Sequence, residues 1–128
     1  MSVTLRGKAN KHQSKKEGHY ILQTDPVNEK PSWIQENGRY AIWRDKDGLW
    51  GVGDKKNLGS TKVGIYSPDK VEDPCQAFTW KYFDKEWHES KDIVVARSGN
   101  IHTYLFFYFG TLIQITGEGC PHCRRFPT

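Results

Sequence analysis

Three turn signals divide the part of the chain that holds all five tryptophans: Asn37-Gly38, the run Asp45-Lys46-Asp47-Gly48, and Asp84-Lys85. Asn and Gly accept the positive φ that tight hairpins require, so a chain punctuated in this way doubles back repeatedly. Trp33, Trp43, Trp50, Trp80 and Trp87 fall on the short segments between those turns. Such spacing commits the chain to a small antiparallel β architecture with an aromatic core.

The flanking segments follow the same pattern. Val3 and Leu5 alternate with polar neighbours, and His19 to Gln23 resumes a strand around Tyr20-Ile21-Leu22. Asp25-Pro26 breaks it, because proline cannot donate to a ladder. Ser32 to Glu36 and Arg39 to Arg44 read as two strands joined by Asn37-Gly38. In the second, Tyr40 and Ile42 face one way and Ala41 and Trp43 the other. Leu49 to Gly53 forms the next strand, and its glycines imply close backbone approach or a bulge. Val63 to Tyr66 is a short strand ended by Ser67-Pro68. Phe78, Trp80 and Tyr82 alternate on one face. Trp87 follows a turn, and Ile93-Val94-Val95 ends the pattern near Ala96. No stretch shows helical periodicity. The predicted fold is all-β: one small twisted antiparallel sheet curled into a barrel or sandwich, first and last strands adjacent. Its expected core contains Trp33, Ile42, Trp50, Trp80, Tyr82 and Val95.

Domain organisation follows from where the alternation stops. Residues 1–96 read as a Trp-rich β module and residues 97–128 as a tail outside its core. The tail holds the contiguous apolar run Tyr104 to Phe109, which no periodicity assigns to a face. It is expected to be poorly ordered, or to add one edge strand at that run.

Hydrophobic residues make up only 36% of the chain, so its six Phe, six Tyr and five Trp must supply much of the core. The formal charge of +4 is uneven. Residues 1–19 carry five basic side chains against Glu17, whereas residues 20–96 carry eleven basic and thirteen acidic ones. A slightly acidic body argues against a nucleic-acid groove built into the sheet. Three cysteines form no disulfide framework, and nothing resembles a signal peptide or a segment long enough to span a membrane. The expected location is cytoplasmic.

Residues 3–96 resemble a Trp/Gly-rich β module that recurs, often in several copies, in multidomain proteins of protists and aquatic invertebrates. The resemblance is carried by Gly18-His19-Tyr20, Trp33, Ala41-Ile42-Trp43, Trp50 with Gly53, Gly64-Ile65-Tyr66-Ser67, Pro74-Cys75 and Trp80-Lys81-Tyr82 with Trp87. It implies a compact unit used as an accessory or adhesive part. Residues after Ala96 have no counterpart in it. A weaker likeness, of residues 31–43 to WW domains, fails after Trp50, where Gly51-Val52-Gly53 stands in place of the required proline.

Four groups of residues could carry chemistry. Trp43 and Trp87, beside turns, are candidates to stack on sugar rings, with Arg44, Asp45 or Asp47 bonding hydroxyls. Lys8, Lys11, Lys15 and Lys16 lie in a polar loop that could touch phosphate, although such a loop is more often simply solvated. Cys120-Pro121-His122-Cys123 has the spacing of a redox pair or half a zinc site. The redox reading needs a following helix, for which five residues including Pro127 leave no room. The zinc reading must recruit Cys75. Asp84, Glu86, His88 and Glu89 cluster near Trp87, but as charges on a turn rather than an acid–base pair in a pocket. The leading expectation is therefore a non-catalytic module that binds protein or glycan partners and needs no cofactor. The alternative is a small metal- or redox-active protein using Cys75, Cys120 and Cys123.

Overall fold

The computed structural model of the chain describes residues 1–7 and 13–98. Nine antiparallel strands run through them: β1 (Ser2–Arg6), β2 (Gly18–Leu22), β3 (Trp33–Gln35), β4 (Tyr40–Arg44), β5 (Trp50–Asp54), β6 (Ile65–Tyr66), β7 (Trp80–Asp84), β8 (Glu86–Ser90) and β9 (Val94–Arg97). Strands β1 to β8 pair in sequence order, and β9 returns to pair with β1, placing Leu5 opposite Val95. Helix is confined, among the described residues, to single 3₁₀ turns at Ser14–Lys16, Lys55–Asn57 and Pro74–Gln76.

This strand order forces curvature. Laid flat, nine strands about 4.8 Å apart would separate the two edges by roughly 38 Å. The edge strands β8 and β9 are nevertheless consecutive in the chain. The link from Ser90 to Val94 can span at most about 14 Å. The sheet therefore rolls into a half-barrel, and its concave side becomes the core. Val3, Leu5, Tyr20, Trp33, Ile42, Trp50, Val52, Ile65, Trp80 and Val95 are buried there. Trp33 and Trp50 pack with ring centroids 6.0 Å apart. Each large apolar side chain taken from water contributes about 1.5–3 kcal/mol. The expected core is thus present, with Tyr82 packed against it at partial burial.

Three local expectations change. Phe78 does not share the buried face with Trp80 and is 80% exposed. Strand β7 begins only at Trp80, because the Asp69 carboxylate accepts the N–H groups of Phe78 and Thr79 and holds them in the preceding loop. The Asn37-Gly38 connection is longer than a two-residue hairpin. Residues 36–39 lie between β3 and β4, with Asn37 in the left-handed region at φ 59°. The last strand also runs one residue past Ala96: Arg97 of β9 pairs with Val3 and forms an ion pair with Asp73. The remaining tail, including the run from Tyr104 to Phe109, lies outside the described residues. No helix among the described residues is long and apolar enough to cross a membrane.

Candidate functional site

The convex face of the sheet is where the predicted binding residues separate. On β4, Ala41, Ile42 and Trp43 are all buried. Ile42 points into the core, so Ala41 and Trp43 must be covered from outside. The cover is the segment following β5. The Trp43 indole N–H donates to the Ser60 carbonyl at 2.8 Å. Two glycines allow the segment to lie flat. A Cβ at Gly51 would stand 2.7 Å from Val63, and one at Gly53 would stand 2.7 Å from the Lys62 carbonyl oxygen. The glycines expected to mark close approach do so, and Trp43 is corrected from a stacking surface to a second, outer core.

The other sugar-binding candidates also have structural duties. Arg44 donates to the Gly48 carbonyl, and its guanidinium lies 6.0 Å from the centre of the Trp50 ring. One Asp45 carboxylate oxygen accepts the N–H groups of Asp47 and Leu49, which shapes the β4–β5 turn. Asp47 is exposed at that turn. These three side chains sit at one end of the hairpin. Trp87 lines a groove beside Gly53 and Asp54, at the opposite end of β5. Four strand steps, about 13 Å, separate Trp50 from Asp54, so the predicted set is not brought together.

Trp87 is 42% exposed on the convex side of β8, opposite Phe83 of β7. Its ring meets Tyr66 edge-on at 4.8 Å between centroids and Phe83 at 5.3 Å. Two such contacts, each worth about 0.5–1.5 kcal/mol, fix the ring's orientation while leaving it accessible. The groove beside it, about 470 Å³, is lined by Lys16, Arg39, Tyr40, Asp54, Asn57 and Lys62 together with Val63, Gly64 and Phe83.

Lys16 reaches this groove because residues 13–17 fold over the sheet and are tied to it on both sides. Gln13 donates to the Phe83 carbonyl at 2.7 Å. Gln35 of β3 donates to the carbonyls of Lys15 and Glu17 at 2.9 and 3.0 Å. The Lys16 ammonium donates to Gln13 Oε1 at 2.6 Å and stands 4.5 Å from the centre of the Tyr40 ring. Gly64 makes room, since a Cβ there would be 2.6 Å from Gln13 Oε1. Lys16 is therefore corrected from a solvated loop lysine to a buried one, only 8% exposed. Desolvation lowers its pKa from the ordinary lysine range, opposed in part by Asp54 and assisted by Arg39. Lys15 stays exposed; Lys8 and Lys11 lie outside the described residues.

Asp54 is the groove's carboxylate, and both its oxygens are engaged. One accepts from Arg39 at 2.5 and 2.8 Å, the other from the Lys56 N–H at 3.0 Å. The Lys56 bond, followed by Arg39, holds its pKa below the usual carboxylate range. Sequence reasoning missed Arg39, Asp54, Asn57 and Lys62. The one available signal was the hairpin register, which sets Tyr40 opposite Asp54.

The metal alternative has only one of its ligands among the described residues. Cys75 is buried in the Pro74–Gln76 turn, where the Asp73 carboxylate caps its N–H at 2.9 Å. Among the described residues no group of three or more His, Cys, Asp or Glu side chains is placed to hold a metal ion. Cys120 and Cys123 lie outside them. No protein-family model, curated protein or solved structure matches this chain.

Proposed function

We propose that this chain is a non-catalytic interaction module that binds a protein or glycan partner through the convex surface around Trp87, which none of the described residues covers. The observation that carries the reading is the pairing of an exposed, orientation-fixed indole with a groove of hydrogen-bonding and cationic side chains. Such a site offers a flat apolar platform and polar groups at its margin, the combination found in small-ligand and recognition sites. The resemblance to accessory β modules supports the same reading.

A glycan array probed with the parent protein, Trp87→Ala and Asp47→Ala tests it. The parent and Asp47→Ala are expected to share one binding pattern, which Trp87→Ala loses. A pattern that survives Trp87→Ala would place recognition elsewhere on the molecule.

A further inference from the structure

The geometry points to a sugar ring carrying one anionic substituent, such as a uronic acid residue, as the ligand of the Trp87 groove. This inference rests on the binding role proposed above and narrows it to a ligand class. Lys16, Arg39 and Lys62 face a single carboxylate, Asp54, whose oxygens are already taken by Arg39 and the Lys56 N–H. Among the described residues no carboxylate lies within 4 Å of the Lys16 or Lys62 ammonium group. The groove thus holds an excess of positive charge, including one cation that is nine-tenths buried.

An ammonium carries three donors, and Lys16 is seen to spend one on Gln13. Burying that charge disfavours the ammonium, as its lowered pKa reports. An incoming anion would offset this cost through a charge-assisted bond in a partly dehydrated site. The lining also includes the Trp87 ring, on which the apolar face of a pyranose can lie, and Asn57, whose amide can bond hydroxyls. A groove of about 470 Å³ lies within the ~300–1,000 Å³ range of small-ligand sites.

Calorimetric titration with the methyl glycoside of galacturonic acid, which carries one carboxylate, with its uncharged methyl ester and with inorganic phosphate tests this. The monoanionic galacturonide is expected to bind roughly tenfold or more tighter than its methyl ester, because a charge-assisted hydrogen bond is at stake. Lys16→Met and Lys62→Gln should each bring the acid down toward the ester, and Trp87→Ala should abolish both. Circular dichroism of each variant confirms folding. Equal affinity for acid and ester, both lost in Trp87→Ala, would overturn the anionic inference and leave the binding role intact. Phosphate binding as tightly as the sugar acid would overturn it too. Absence of binding to every sugar titrated would also overturn it, and the array separately decides whether the binding role falls as well.

Discussion

Trp43 and Trp87 both project from the convex side of one sheet, yet one is fully buried and the other 42% exposed. The β4–β5 half of that face is covered by residues 58–64, which bond the Trp43 indole and press on Gly51 and Gly53. Among the described residues the β7–β8 half has no such cover over Trp87, whose neighbours Tyr66 and Phe83 support it from the side. The difference teaches that a tryptophan's strand position fixes which face it takes but not its exposure. A loop far along the chain decides that. It also assigns different costs to replacing the two residues, and therefore different roles.

The largest expected effect breaks the covered half. Trp43→Ala empties a filled outer core and should lower the unfolding free energy by about 3–5 kcal/mol, as for other buried aromatic truncations. A marginally stable module loses most of its folding free energy at that cost, and urea titration followed by far-UV circular dichroism reads the result. Next comes Gly53→Ala, which drives a methyl group against the Lys62 carbonyl oxygen. It should cost about 1–3 kcal/mol without removing any contact. Trp87→Ala, on the other half, should cost about 1–3 kcal/mol, the worth of its two ring contacts alone.

The smallest expected change is also the most informative about Lys16. Its pKa is lowered in the folded chain, so the unfolded state binds the proton more tightly. Stability then rises with pH as pH climbs through the folded-state pKa toward the ordinary value of 10.5. Lys16→Met removes that penalty and should match or slightly exceed the parent near neutral pH. The difference between them should shift in the parent's favour as pH approaches 10.5. Above pH 10 the parent should lose stability for a different reason. Burial raises the Tyr20 pKa, so the unfolded state ionises first. Urea midpoints of both proteins across pH 7–10.5 check these signs.

Much of the inner architecture was legible in the sequence because it is encoded locally. Alternation in Val3-Thr4-Leu5 and in Trp50-Gly51-Val52 assigns faces within a few residues, and Asp45 to Gly48 carries its own turn chemistry. The close approach at Gly51 and Gly53 was legible for the same reason. The groove was not. Lys16 is buried through Gln13, which bonds a carbonyl seventy residues away. Trp43 is buried through a carbonyl seventeen residues away. Neither contact leaves a periodic trace. Phe78 shows the converse failure, where a clean alternation was overridden by two hydrogen bonds to Asp69.

Hydrogen exchange of the five indole N–H groups, assigned by single Trp→Phe variants, tests the division of the convex face most directly. Trp43 and Trp50 donate to the Ser60 and Val71 carbonyls, and Trp33 and Trp80 are buried in the core. The expected result is four slowly exchanging indoles and one fast one, which the Trp87→Phe variant lacks. Protection of the Trp87 indole, or rapid exchange at Trp43, would contradict the account.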